Sequence, residues 1–239
     1  MTTAFEPRAW RPLYLDFATH VGRGVLAGML CGFLIGGIGG RLAMFVLRLT
    51  SDPAVRGLES DDGFTIGAFT AETFFLLVAA TFLGAFGGLV YVAMRGWLPK
   101  PSRAPVTATL AGVTGGALVI RPDGVDFTEL EPVALAVIMF IALPALYGAT
   151  VSLLAERAIE ATWGGGWYAV IFMPALLLLT AFPIAIALAV VLALLAFNRR
   201  GAVTRLWLSR PAVWSGRAAI AAAIAVAGAL LIEDVAAVL

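Results

Sequence analysis

The sequence predicts an all-α protein, a polytopic transmembrane helix bundle of seven spans with a cytoplasmic N-terminus and an outer C-terminus. Three observations predict it. Of 239 residues, 61% are hydrophobic and only 13% are charged, whereas soluble domains are about 25% charged and 45–50% apolar. Mean hydropathy is +0.97. The apolar residues also fall into blocks of about 20, the length that crosses a hydrocarbon core at 1.5 Å per residue. A water-soluble globule and a nucleic-acid binder are excluded on composition alone.

The spans read in order as 22–47, 70–94, 104–120, 132–155, two within 161–198, and 213–232. Residues 1–21 form an interfacial segment on the cytoplasmic side, where Trp10, Leu13, Tyr14 and Phe17 precede Arg23. No cleavable signal pattern precedes the first helix, which is expected to act as its own insertion signal. The uncharged stretch 161–198 decides the count. As one helix its 38 residues would run ~57 Å, well beyond a ~30 Å core. Split near Thr180-Ala181-Phe182-Pro183, it gives two spans of ordinary length, with Pro183 in the first turn of the second. One long helix kinked at Pro174 and Pro183, giving six spans, is the alternative.

Charge supports seven. With the N-terminus inside, twelve of the sixteen basic residues lie on the cytoplasmic side: Arg8, Arg11, Arg23, Arg95, Lys100, Arg103, Arg157, Arg199, Arg200, Arg205, Arg210 and Arg217. This is the positive-inside bias of bacterial-type plasma membranes. Six spans would export the basic loop 199–212.

Glycine gives the sharpest pattern. Gly24, Gly28, Gly32, Gly36 and Gly40 recur every four residues; Gly84 and Gly88 repeat the spacing in the second span, Gly112 and Gly116 in the third. Small residues at i and i+4 let helix backbones approach closely in lipid, where hydrophobic driving force is absent. The expectation is a tightly packed three-helix block over 22–120, with a looser half, 121–239, leaning on it and a helix break at Pro144.

Chemistry is sparse. One Cys and one His cannot build a multi-ligand zinc site within one chain, and no cofactor is expected. Lys100, the single lysine, lies in a polar loop, so no Schiff base forms inside a span. Span interiors hold hydroxyls such as Thr107, Thr114, Tyr147 and Ser152 but no acid, lysine or histidine near mid-depth. Arg41, Arg48 and Glu72 gather at the outer boundary as a candidate site for an anion or lipid phosphate, with Arg41 facing Glu72. The leading functional reading is a non-catalytic accessory or assembly subunit packing through its glycine faces against itself or a membrane partner. A channel or permease for a small neutral or anionic solute or a lipid, and an intramembrane lipid-modifying enzyme, are the alternatives.

Overall fold

A computed structural model describes residues 10–55, 57, 71–161, 190 and 202–239. Every regular element among them is helical. The first is a continuous rod: α1 (Trp10–Cys31), a π-helical stretch (Gly32–Gly39) and α2 (Gly40–Thr50). Then follow α3 (Ala71–Met94), α4 (Arg103–Val119), the one-turn α5 (Val125–Thr128), α6 (Val133–Glu160), the short α7 (Ala202–Trp207) and α8 (Arg210–Val238).

Four of these helices are long and apolar enough to cross a membrane: Val21–Thr50, Ala71–Met94, Val133–Glu160 and Arg210–Val238. Their outer faces carry the large apolar side chains that a lipid environment accepts, such as Leu42, Phe74, Phe75, Ile138 and Val226, all exposed. Seven spans are therefore not reached among the described residues. The expected third span is a helix of 17 residues, ~26 Å long and short of a ~30 Å core. The fifth and sixth expected spans, with Pro174 and Pro183, lie outside the described residues.

The ladders explain how the rods meet. On the first rod, Gly24 and Gly28 of α1 face the Gly88 and Gly84 carbonyls, and Gly32 of the π-helical stretch faces that of Ala80, all on α3. Each step of four up one helix is a step of four down the other, so the pair is antiparallel. Backbone touches backbone because no Cβ intervenes. A spacing of four drifts ~40° per step on an α-helix of 3.6 residues per turn. A π turn, bonded i to i+5, takes in more than four residues and reverses that drift. The stretch Gly32–Gly39 thus returns the stripe toward the same side.

The third ladder does not join the first two, which corrects the expected three-helix block. A Cβ on Gly112 would lie 3.0 Å from that of Ala145, one on Gly116 would lie 3.0 Å from Ile141 Cγ1, and Gly148 faces the Thr107 carbonyl. These contacts pair α4 antiparallel with α6, and α8 also packs on α4, where Leu231 meets Gly116 beside Ile141. Small residues announce that a neighbour comes close. They do not say which neighbour.

Both ends of the bundle are fastened. At the Arg41 end, the Glu131 N–H donates to Ser51 Oγ at 2.8 Å, and the Thr50 hydroxyl donates to the Glu131 carbonyl at 2.8 Å. Beneath them Leu47, Val55, Ile120, Phe127, Leu130 and Leu231 form a buried apolar cluster. At the other end, Glu156 of α6 accepts from Tyr91 Oη (2.7 Å), from Arg95 through Nε and Nη2 (2.7 and 2.9 Å) and from Arg103 Nη1 (2.6 Å). Burial opposes the Arg95 charge, but bonding to Glu156 outweighs it and moves the guanidinium pKa above its ordinary value. Arg23 donates to the Ile159 carbonyl at 3.2 Å, a cation at the C-terminus of α6 as the helix dipole favours. The start of α8 is held too: Arg217 Nε donates to the Trp97 carbonyl at 2.7 Å, and Trp97 stacks on Trp207 with centroids 4.8 Å apart.

Candidate functional site

A cavity of about 490 Å³ lies among the π-helical stretch, α2, α3, α4 and α6. Its size falls within the ordinary range for ligand sites, about 300–1,000 Å³. Gly32, Gly36 and Gly40 form one wall, Leu76 to Gly84 of α3 a second, Ala111 to Val119 of α4 a third, and Phe140 to Tyr147 of α6 the fourth. Leu83 and Leu118 line it and are 60% and 73% exposed. The space therefore opens sideways, between α3 and α4, rather than along the bundle axis.

Local sequence builds each wall. Three glycines leave their helix without side chains on the side that faces the cavity. A Cβ added at Gly40 would meet nothing within 4 Å, while one at Gly36 would lie 3.3 Å from that of Ala80. On α6, Pro144 has no N–H to give the Phe140 carbonyl four residues earlier; both residues line the cavity. Gly115 makes room for that proline, since a Cβ there would lie 2.6 Å from Pro144 Cβ.

Polar groups are few and sit at opposite ends. Tyr147 forms part of the floor, and its hydroxyl donates to the Gly84 carbonyl at 2.7 Å. Thr114 turns back on its own helix, donating to the Leu110 carbonyl at 2.5 Å. Arg41 and Met44 stand at the opposite end, so the cavity is apolar along its length with one cation at its mouth. The guanidinium has five N–H donors in a planar fork, enough to serve a protein group on one edge and the cavity on another.

Of the candidate residues read from the sequence, Arg41 reaches this cavity. Arg48 lies outside its lining, its guanidinium carbon 4.8 Å from the centre of the Phe45 ring. Glu72 is exposed at the start of α3, one turn before the lining residue Leu76. Gly24, Gly28 and Gly88 serve the α1–α3 seam, Gly112 and Gly116 the α4–α6 seam; Gly32 and Gly84 serve both seam and cavity. Pro144 sits within α6 as a cavity residue.

Sequence reasoning missed the Glu156 cluster. A signal was present: an acid in the last two turns of a helix opposes the helix dipole and needs cations, which Arg95 and Arg103 supply from the preceding loop. No family model, curated protein or solved structure matches the chain.

Proposed function

We propose that the protein is a membrane protein that takes a lipid-type molecule out of the surrounding bilayer into the lateral cavity, as a lipid-binding carrier or permease. The observation that supports this reading is the cavity itself, apolar-walled, sideways-open and bordered by Arg41. A water-soluble solute gains nothing from walls of Leu76, Leu83, Leu118 and Phe140; an alkyl chain does. The glycine ladders that suggested an accessory subunit meet other helices of the same chain, so they carry no argument for an outside partner.

The positive-inside distribution supports a reading with seven spans in a bacterial-type plasma membrane, the Arg41 end at the outer face and the Glu156 end in the cytoplasm. Leu76 to Gly84 and Ala111 to Val119 each cover nine residues, ~12 Å of depth at 1.5 Å per step. That is close to half of a ~30 Å hydrocarbon core. In this placement the cavity serves the outer leaflet alone.

The test is native mass spectrometry on protein extracted from membranes, comparing wild type with Gly40→Leu. The new side chain enters the cavity where no protein atom opposes it. Co-purified lipid should fall sharply in the variant while its thermal midpoint is unchanged. Equal lipid in both would reject the cavity as the binding site.

A further inference from the structure

Resting on that reading, we infer that the cavity selects an anionic amphiphile, held by its head at Arg41 and by one seated alkyl chain whose tip reaches Tyr147. The polarity of the walls assigns the two ends. Among the described residues Arg41 is the one charged residue in the lining, and Thr114 and Tyr147 spend their hydroxyl protons on carbonyls of Leu110 and Gly84. A second polar group along the ligand would find no donor there, and burying it without one is costly. A head carrying phosphate or carboxylate at the mouth matches a guanidinium, whose planar fork bonds such oxygens in pairs.

Depth limits the tail. Each methylene of an extended chain advances about 1.3 Å, set by C–C bonds of about 1.5 Å, so the ~12 Å between the Arg41 end and Tyr147 takes about nine of them. A second chain, where the ligand has one, remains in the bilayer beyond the exposed lips at Leu83 and Leu118. Tyr147 closes the far end, pinned by its bond to Gly84 and packed on bare Gly87, where a Cβ would collide with its hydroxyl.

The experiment uses full-length protein in phosphatidylcholine nanodiscs, titrated with alkyl phosphates from hexyl to octadecyl, read by native mass spectrometry. Alkyltrimethylammonium and alkyl maltoside of matched chain are the cationic and uncharged controls. Alkyl phosphate should bind roughly tenfold or more tighter than the ammonium compound, with affinity rising by chain length and levelling off near decyl. Arg41→Gln should remove the preference for phosphate and Arg41→Lys should keep most of it, while uptake of the maltoside shows that the cavity persists in both variants. Equal binding of cation and anion, an unchanged preference in Arg41→Gln, or a continued gain to octadecyl would overturn the assignment of head or tail and leave the cavity reading standing. Uptake of no alkyl compound, with Gly40→Leu matching wild type, would overturn both.

Discussion

Gly28 and Gly84 are reciprocal: a Cβ built on either one collides with the carbonyl oxygen of the other. No rotamer relieves such a clash, because both partners are backbone. The α1–α3 seam thus depends on hydrogen in place of a side chain at two positions 56 residues apart in sequence.

Gly28→Ala and Gly84→Ala should each destabilise the protein by about 1–3 kcal/mol, the cost of overpacking a filled interface. Gly228 is the control, since nothing lies within 4 Å of its added Cβ. Gly228→Ala should be neutral or stabilise by about 0.5–1 kcal/mol through backbone entropy. Thermal unfolding in a mild detergent separates the two classes; equal midpoints for Gly28→Ala and Gly228→Ala would refute the seam.

Glu156→Ala leaves Arg95, Arg103 and Tyr91 without their shared acceptor. The side chains involved are 14–20% exposed, so the loss should be smaller than for a fully buried pair, about 2–3 kcal/mol. Arg95→Lys keeps the charge but not the two-pronged geometry, and should fall between wild type and Glu156→Ala on the same unfolding assay. The exposed pair Lys100–Glu160, at 2.9 Å with side chains 74% and 61% exposed, should be dispensable: Lys100→Ala should leave the midpoint in place.

Ser51→Ala removes the acceptor for the Glu131 N–H and should cost about 1–2 kcal/mol. The effect should be local. Hydrogen exchange should quicken at Glu131 and neighbouring amides of the Arg41 end while amides of the Glu156 end keep their protection.

Tyr147→Phe retains the ring that closes the cavity and removes the hydroxyl that reaches Gly84. Interhelical bonds in lipid average about 0.6 kcal/mol, so stability should drop only slightly. Because the floor stays in place, the chain length at which alkyl phosphate affinity levels off should not change. A shift to longer chains would show that the bond, and not the ring, fixes the depth.

Much of this was legible in the residues. Gly24 to Gly32 and Gly84 to Gly88 announced a close helix contact, and they made it with each other because both runs are bare at the same spacing. The adjacent pair Gly87-Gly88 was harder: one glycine receives Gly24 and the other receives Tyr147, a division that depends on where α6 stands. Arg41 was visible as a boundary arginine, but the cavity beside it arises from four helices and has no linear signature. Glu156 escaped notice because its partners follow from the α3–α4 turn, which brings Arg95 and Arg103 to one carboxylate. Gly112 and Gly116 were visible as small residues while their neighbour was not, since Ala145 and Ile141 look like any apolar pair on a long helix.

The π-helical stretch Gly32–Gly39 governs more than its own eight residues. Every residue after it inherits its azimuth from the way those turns are wound. Excising a single residue there, with the winding kept, would swing the rest of the rod by just under a quarter turn, carrying Arg41 away from the cavity mouth and Arg48 off its present bearing. The aim of the cation is therefore written in the winding of a backbone that carries no charge at all.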